Sequence, residues 1–184
     1  MTLRLDMGDS NFASSFQVFL DTKREWKSDT NDIVADIISD VRLRGDAALI
    51  NFTRKFDRFD LDARSLRISP KEIREATKTC DRKMLKALNV ALTRIRTFHE
   101  KQVPNDLDYT DSAGLRLGYR WTPVGAAGLY VPGGTAAYPS SVLMSAVPAK
   151  VAGVKRLVMA VPAPGNKINP LVLAAADLVG VNEI

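Results

Sequence analysis

Residues 124–141 read VGAAGLYVPGGTAAYPSS. The extended apolar run Gly128, Leu129, Tyr130, Val131 stops at Pro132, and Gly133 and Gly134 follow, so the stretch predicts a strand running into a flexible turn. Ser140 or Ser141 can then cap a helix whose apolar face is Val142, Leu143, Ser145 and Ala146. Strand, glycine loop and helix in succession are the opening of an α/β unit. Backbone N–H groups at such a helix start suit an anion, commonly a nucleotide phosphate, because glycines let it approach and the helix dipole favours negative charge. A tight connection in an α/β sheet that holds no ligand fits the same spacing.

Two phosphate-binding motifs are excluded. Gly128 to Thr135 has the outline of a Walker A loop, but Gly134 stands where the phosphate-binding lysine belongs. The spacing of Gly125, Gly128, Gly133 and Gly134 also departs from the GxGxxG dinucleotide fingerprint.

Outward from this stretch the chain divides by composition. Charged residues are dense up to Val103 and sparse after it, which predicts an N-terminal helical region over 1–103 and an α/β region over 104–184. In the first region a short helix is expected from Phe12 to Trp26. A clearer one, capped by Asp29 or Thr30, carries Ile33, Ile37, Ile38 and Val41 and ends at Gly45. Asp46 opens a third helix with Ala48, Leu49, Phe52 and Phe56 inward. Leu66 and Ile68 form a brief extended piece. Ser69-Pro70-Lys71-Glu72 then has the serine cap, first-position proline and third-position glutamate of a helix start. The following helix, from Asp81 to about Gln102, presents Leu85, Leu88, Ala91, Leu92, Ile95 and Phe98.

In the second region Pro104–Gly114 reads as a polar connection and Leu115–Val124 as an alternating strand. The helix after the glycine loop should kink or end early at Pro148. Leu157–Val161 is a buried strand. Asn169 and Pro170 open a last helix that stops at Gly180, and Val181–Ile184 approaches a further strand. Strands alternating with helices on short connections predict a parallel sheet of Rossmann-like type, with right-handed crossovers. So few strands bury little on their own, and the chain is expected to be a truncated part of a larger fold.

The function classes narrow as well. The net charge of +5 and 46% hydrophobic content describe an ordinary globular chain, and the basic residues are interspersed with acidic ones rather than clustered, which argues against nucleic acid. A single cysteine, Cys80, permits no internal disulfide and no CxxC site. No signal sequence and no long apolar run is present, so a soluble cytoplasmic chain is expected, with no membrane partner. His99, the lone histidine, sits at a helix end, where a structural or dipole-neutralising role is the commoner one.

The text GAAGLYVPGGTAAYPSSVLMSAVPAKVAGVKRLVMAVP, with RLRGDAALINFTRKFD and RIRTFHEKQ before it and DLVGVNEI after it, resembles the N-terminal half of the histidinol dehydrogenases. The likeness covers essentially everything after about residue 30. It implies oxidation of L-histidinol to L-histidine through an aldehyde with two NAD, a zinc ion, and a homodimer. It also implies incomplete nucleotide-binding-like units related to the aldehyde dehydrogenase architecture, which hold NAD outside the usual fingerprint. By the same resemblance Tyr130 contacts NAD, and Pro132, Gly133 and Gly134 shape the pocket beside it. The family's catalytic glutamate and histidine and its zinc ligands have no counterpart in these 184 residues. Its next NAD contacts are expected beyond Ile184. No catalytic and no metal residue is therefore assigned, and the chain alone is expected to be inactive and to bind NAD and zinc poorly. A non-catalytic interaction or dimerisation module is the competing class.

Overall fold

The computed structural model describes residues 4–63, 65–133 and 137–184, with the backbone alone for 22–29. The chain forms two compact units, Met1–Phe52 and Thr53–Ile184.

The first unit is dominated by one helix, α1, Phe12–Arg44. The two helices expected here are a single one, because no proline or glycine interrupts residues 12–44 and a serine-aspartate run alone does not stop a helix. Pairs at helical spacing line it: Phe12 stacks on Phe16 with ring centroids 5.6 Å apart, and Arg44 holds Asp40 in a two-pronged ion pair. Gly45 ends it as expected, at φ 57°, with its N–H donating to the Val41 carbonyl. Helix α2, Asp46–Asp57, begins directly after and runs across the boundary between the units. Of its expected inward stripe only Ala48 is fully buried, and Leu49 and Phe56 are exposed.

The second unit contains α3 (Pro70–Lys78), α4 (Arg82–Glu100), β1 (Leu107–Thr110), β2 (Arg116–Tyr119), β3 (Ala126–Tyr130), α5 (Pro139–Val151), β4 (Arg156–Ala160) and α6 (Pro170–Val179). Helix α3 starts with the full capping box: Ser69 Oγ accepts from the Glu72 N–H, and the Glu72 carboxylate accepts from the Ser69 N–H. Asp81 caps α4 through the Lys83 N–H. Leu88 and Leu92 of α4 are buried in the core, whereas Phe98, expected on the same stripe, is exposed. No strand forms at Leu66–Ile68, although the Ile68 N–H donates to the Ile184 carbonyl at 2.8 Å.

Residues 104–124 depart most from expectation. The supposed polar connection contains β1, and the expected strand over 115–124 contracts to β2, which pairs antiparallel with β1 and takes no part in the parallel sheet. The hairpin turn explains this: Asp111 Oδ1 accepts from the N–H groups of Ala113 and Leu115, and Gly114 takes φ 86°.

The parallel sheet pairs β3 with β4 in the register Ala126↔Arg156 to Tyr130↔Ala160, joined through α5. On β4, Leu157 and Met159 turn their backbone groups to the opposite edge. There the Leu157 carbonyl accepts from Asn182 N–H and Met159 N–H donates to the Glu183 carbonyl. The approach to a further strand expected at Val181–Ile184 is thus a parallel bridge beside β4, Val158↔Glu183. The core lies where α4, α5 and α6 pack, filled by Leu143, Ala146, Val147, Leu157, Val172 and Ala175 among others. Helix α5 begins at Pro139 with Tyr138 as its cap residue and no side-chain cap, not at a serine cap. Ser145 is exposed, and the helix continues through Pro148 to Val151. Asn169 caps α6 through the Leu171 N–H, and Gly180 ends it at φ 79°. The architecture is α/β, with a small parallel sheet. Among the described residues no helix is long and apolar enough to cross a membrane.

Candidate functional site at the carboxyl end of the parallel strands

Open α/β sheets bind ligands at the carboxyl ends of their strands, where loops leave the sheet and helices begin. In this chain that place is the loop after β3. Val131, fully buried, is the last residue held to the sheet: its N–H donates to the Ala160 carbonyl at 3.0 Å. Tyr130, one residue earlier, projects from the strand end and is 68% exposed, so core packing does not account for it. An exposed phenol ring on a rigid strand end can lay its face on a flat ligand and offer a hydroxyl at its rim.

Pro132 and Gly133 continue the loop in exposed positions. A Cβ on Gly133 would lie 3.0 Å from the Pro162 carbonyl oxygen and 3.3 Å from Pro162 Cδ. Gly133 therefore lets the loop after β3 lie against the loop after β4, and the pair form one rim of the sheet. Gly134, the fourth expected site residue, lies outside the described residues. Helix α5 starts a few residues on, with no acidic residue in its first turn and no side-chain cap, so its positive dipole end is not neutralised from within the helix. The structure thus brings Tyr130, Pro132 and Gly133 together on one loop.

The other reactive side chains lie elsewhere. His99, on the last turn of α4, sits edge-on to Phe98 and borders a separate cleft of about 530 Å³ with Gln102, Asp106, Trp121 and Pro148. None of the loop residues lines that cleft. Cys80 donates to the Ala76 carbonyl, and burial pushes its thiol above the ordinary range, which disfavours the thiolate. No group of three or more His, Cys, Asp or Glu converges among the described residues.

One polar cluster escaped the sequence reading. Glu183 accepts from Arg156 Nε at 2.7 Å and pairs with Arg67 at 3.5 Å, and these guanidinium groups hold its carboxyl below the ordinary range, Arg156 contributing most. Beside it Asn182 Oδ1 accepts from the Leu157 N–H at 2.8 Å and from Lys150 Nζ at 3.2 Å. Arg67 also donates to the Asn182 carbonyl at 3.4 Å, across 115 residues of sequence, and no local pattern signals these contacts. Their role is to secure the third sheet position, which keeps β4 and its loop in register with β3.

Comparison with known proteins identifies the family. The family model for histidinol dehydrogenase matches residues 20–184. A histidinol dehydrogenase of Bradyrhizobium diazoefficiens is 56% identical over 184 residues, all of this chain and 43% of that protein. One of Rhodospirillum rubrum is 55% identical over the whole chain and 42% of its own length. The chain therefore spans less than half the length of these relatives and corresponds to their N-terminal part. The crystal structure of histidinol dehydrogenase from Elizabethkingia anophelis superposes with a TM-score of 0.77 at 33% identity, over 82% of this chain and 35% of that one. With the model match covering most of its residues and the fold shared with a solved member, the chain belongs to the histidinol dehydrogenase family.

Proposed function

We propose that the chain supplies the N-terminal part of an enzyme that oxidises L-histidinol to L-histidine through the aldehyde, with two NAD reduced in succession. The observation that carries this reading is the match to the histidinol dehydrogenase family over residues 20–184; the exposed Tyr130 at the carboxyl end of β3, on a loop whose Gly133 lies close against the next loop, is the cofactor contact it suggests. In this reading the Tyr130 ring packs on the cofactor. Pro132, Gly133 and Gly134 shape the wall beside it, and the α5 start favours the cofactor's negative charge. NAD, when bound, accepts a hydride at each of the two oxidations. Residues 104–184 form the opening of a nucleotide-binding-like domain, and residues 1–103 the helical region that precedes it.

Zinc stands differently. The described residues do not fit a zinc centre, since no three metal-binding side chains converge and the chain has one histidine. No step is assigned to zinc from these residues. Alcohol oxidation also requires a base to take the hydroxyl proton as the hydride leaves, and His99 is on a helix end bordering another cleft. The 184 residues alone are therefore inactive in this proposal and bind NAD and zinc poorly. The working enzyme is a cytoplasmic homodimer with histidinol and NAD as its small-molecule partners and no nucleic-acid or membrane partner.

The test is the intact mass of the protein isolated from its source, alongside histidinol-dependent NADH formation with added zinc. A mass well above 20.2 kDa with zinc-dependent turnover supports the proposal. Turnover by the 184-residue chain itself would overturn the assignment of the base and metal to other residues, and absence of turnover in the longer protein would overturn the activity.

A further inference from the structure

We infer that Pro162 is a positioning residue of the proposed cofactor site: its carbonyl and ring form a fixed stop on which Gly133 rests, and that stop sets where the loop after β3 stands beside Tyr130. The inference rests on the reading of that loop as the NAD site and adds to it a residue from the loop after β4.

The end of the strand ladder makes a stop necessary. Tyr130 lies opposite Ala160, and the last rung is the Val131 N–H on the Ala160 carbonyl at 3.0 Å. In a parallel pair the next rung would be donated by residue 162 to the Val131 carbonyl. Pro162 has no N–H to give, so the ladder ends there. Pro132, at the same level on the other strand, brings no donor either. Among the described residues no hydrogen bond joins Pro132 or Gly133 to the loop after β4. Beyond Val131 the two loops are therefore set against each other by contact alone.

That contact is close. A Cβ on Gly133 would stand 3.0 Å from the Pro162 carbonyl oxygen and 3.3 Å from Pro162 Cδ, whereas one on Gly125 or Gly128 would meet nothing within 4 Å. Gly133 is not among the glycines at positive φ, so what glycine supplies there is room rather than conformational freedom. The other side of the contact is stiff. Pro162 has a fixed φ and Pro164 follows it closely. The turn toward α6 is tied by the Asn166 N–H on the Ala163 carbonyl at 2.9 Å and the Lys167 N–H on the Pro164 carbonyl at 3.3 Å. Gly165 and Asn166 take φ 61° and 60° within it, and Asn169 caps α6 directly after. A methyl group added at Gly133 must therefore displace the contact by a few tenths of an ångström, and the Pro132–Gly133 segment leading from Tyr130 is the side that moves.

The experiment is calorimetric titration of NAD into the protein isolated from its source and into the same protein carrying Gly133→Ala, Pro162→Ala, both together, or Gly125→Ala as the control, with urea unfolding to check that each folds. Gly133→Ala should raise the Kd for NAD about threefold to tenfold and Gly125→Ala should leave it unchanged. Pro162→Ala, which releases the stop, should raise it about threefold. The double variant should bind no worse than Gly133→Ala alone, because a residue without the proline ring can yield to the added methyl. An unchanged Kd in Gly133→Ala, an equal loss in Gly125→Ala, or a double variant whose loss is the product of the two single losses overturns Pro162 as the stop. Tyr130→Ala separates this inference from the reading beneath it. A raised Kd there with none in Gly133→Ala leaves the NAD site standing and removes the positioning role, and a parent protein that binds no NAD removes both. Should Gly133→Ala misfold, Pro162→Ala alone decides, and an unchanged Kd refutes the inference.

Discussion

Replacing Asn182 by alanine tests the account of how the parallel sheet is held together. Leu157 is fully buried, and its N–H points to the edge of β4 away from β3, where it donates to Asn182 Oδ1 at 2.8 Å. The substitution leaves that buried donor without its partner and frees Lys150 Nζ, the second donor to the same oxygen. A stranded buried N–H costs about 1–3 kcal/mol. Asn182 itself is exposed, so water can enter in its place, and the lower half of the range, about 1–2 kcal/mol, is expected. Asn182→Asp keeps an acceptor for Leu157 and sets a carboxylate beside Lys150, so it should retain most of the stability. The assay is urea unfolding of both variants: the alanine variant should lower the midpoint at unchanged slope, and the aspartate variant should lie within about 0.5 kcal/mol of the parent. Equal losses in both, or none in either, would refute the argument that the side-chain oxygen stands in for a ladder partner.

Three further outcomes are expected. Tyr130→Ala should leave the unfolding midpoint within about 0.5 kcal/mol, because the ring is mostly exposed, while raising the KM for NAD severalfold in the protein isolated from its source; Tyr130→Phe separates ring from hydroxyl, and an unchanged KM in both variants would remove Tyr130 from the cofactor site. Glu183 has its carboxyl pKa lowered from the ordinary 4.5 by Arg156 first and then Arg67, so its contribution to stability is present above about pH 4.5 and is lost as pH falls through the lower folded value. Acid titration of stability should therefore be flatter below pH 4.5 in Glu183→Gln than in the parent, and parallel curves would show the ion pairs to be inert. Gly118→Ala places a Cβ 2.3 Å from the Leu107 carbonyl oxygen, a backbone atom of the opposite strand, so the hairpin must open; hydrogen exchange at 107–119 should rise sharply with little change in the helices, and an unperturbed hairpin would contradict the close approach.

What the sequence made legible were elements whose signals are local and chemically unambiguous. Ser69-Pro70-Lys71-Glu72 forms the capping box it spells, Gly45 and Gly180 stop their helices in positive-φ conformations, and Asn169 caps α6. Strands β3 and β4 are apolar runs bounded by turn residues, and the exposed end of one of them carries Tyr130, so the candidate site was legible as a place. Failures came where a local signal competes with a non-local one. Asp29 and Thr30 look like caps, but continuity of α1 depends on what is absent over 33 residues, namely any proline or glycine. The hairpin hid because β1 alternates Asp and Thr with Leu and Tyr and so reads as polar. Its turn was nonetheless written in Asp111 and Gly114, whose side chain and φ close it.

The clamp on the third sheet position is a different case, since Arg67 and Asn182 meet across 115 residues and neither has a neighbour in sequence that predicts the other. That distinction bears on function. A loop after a strand can be found from sequence because the chain direction itself brings it to the carboxyl edge, but the register that aims Tyr130 depends on β4. The position of β4 depends in turn on Asn182 and Glu183 along its far side. In the proposed site, substitutions at Asn182 should alter NAD affinity only as far as they loosen β4. A stability loss at Asn182→Ala with an unchanged KM for NAD would then mean that β3 alone holds the loop.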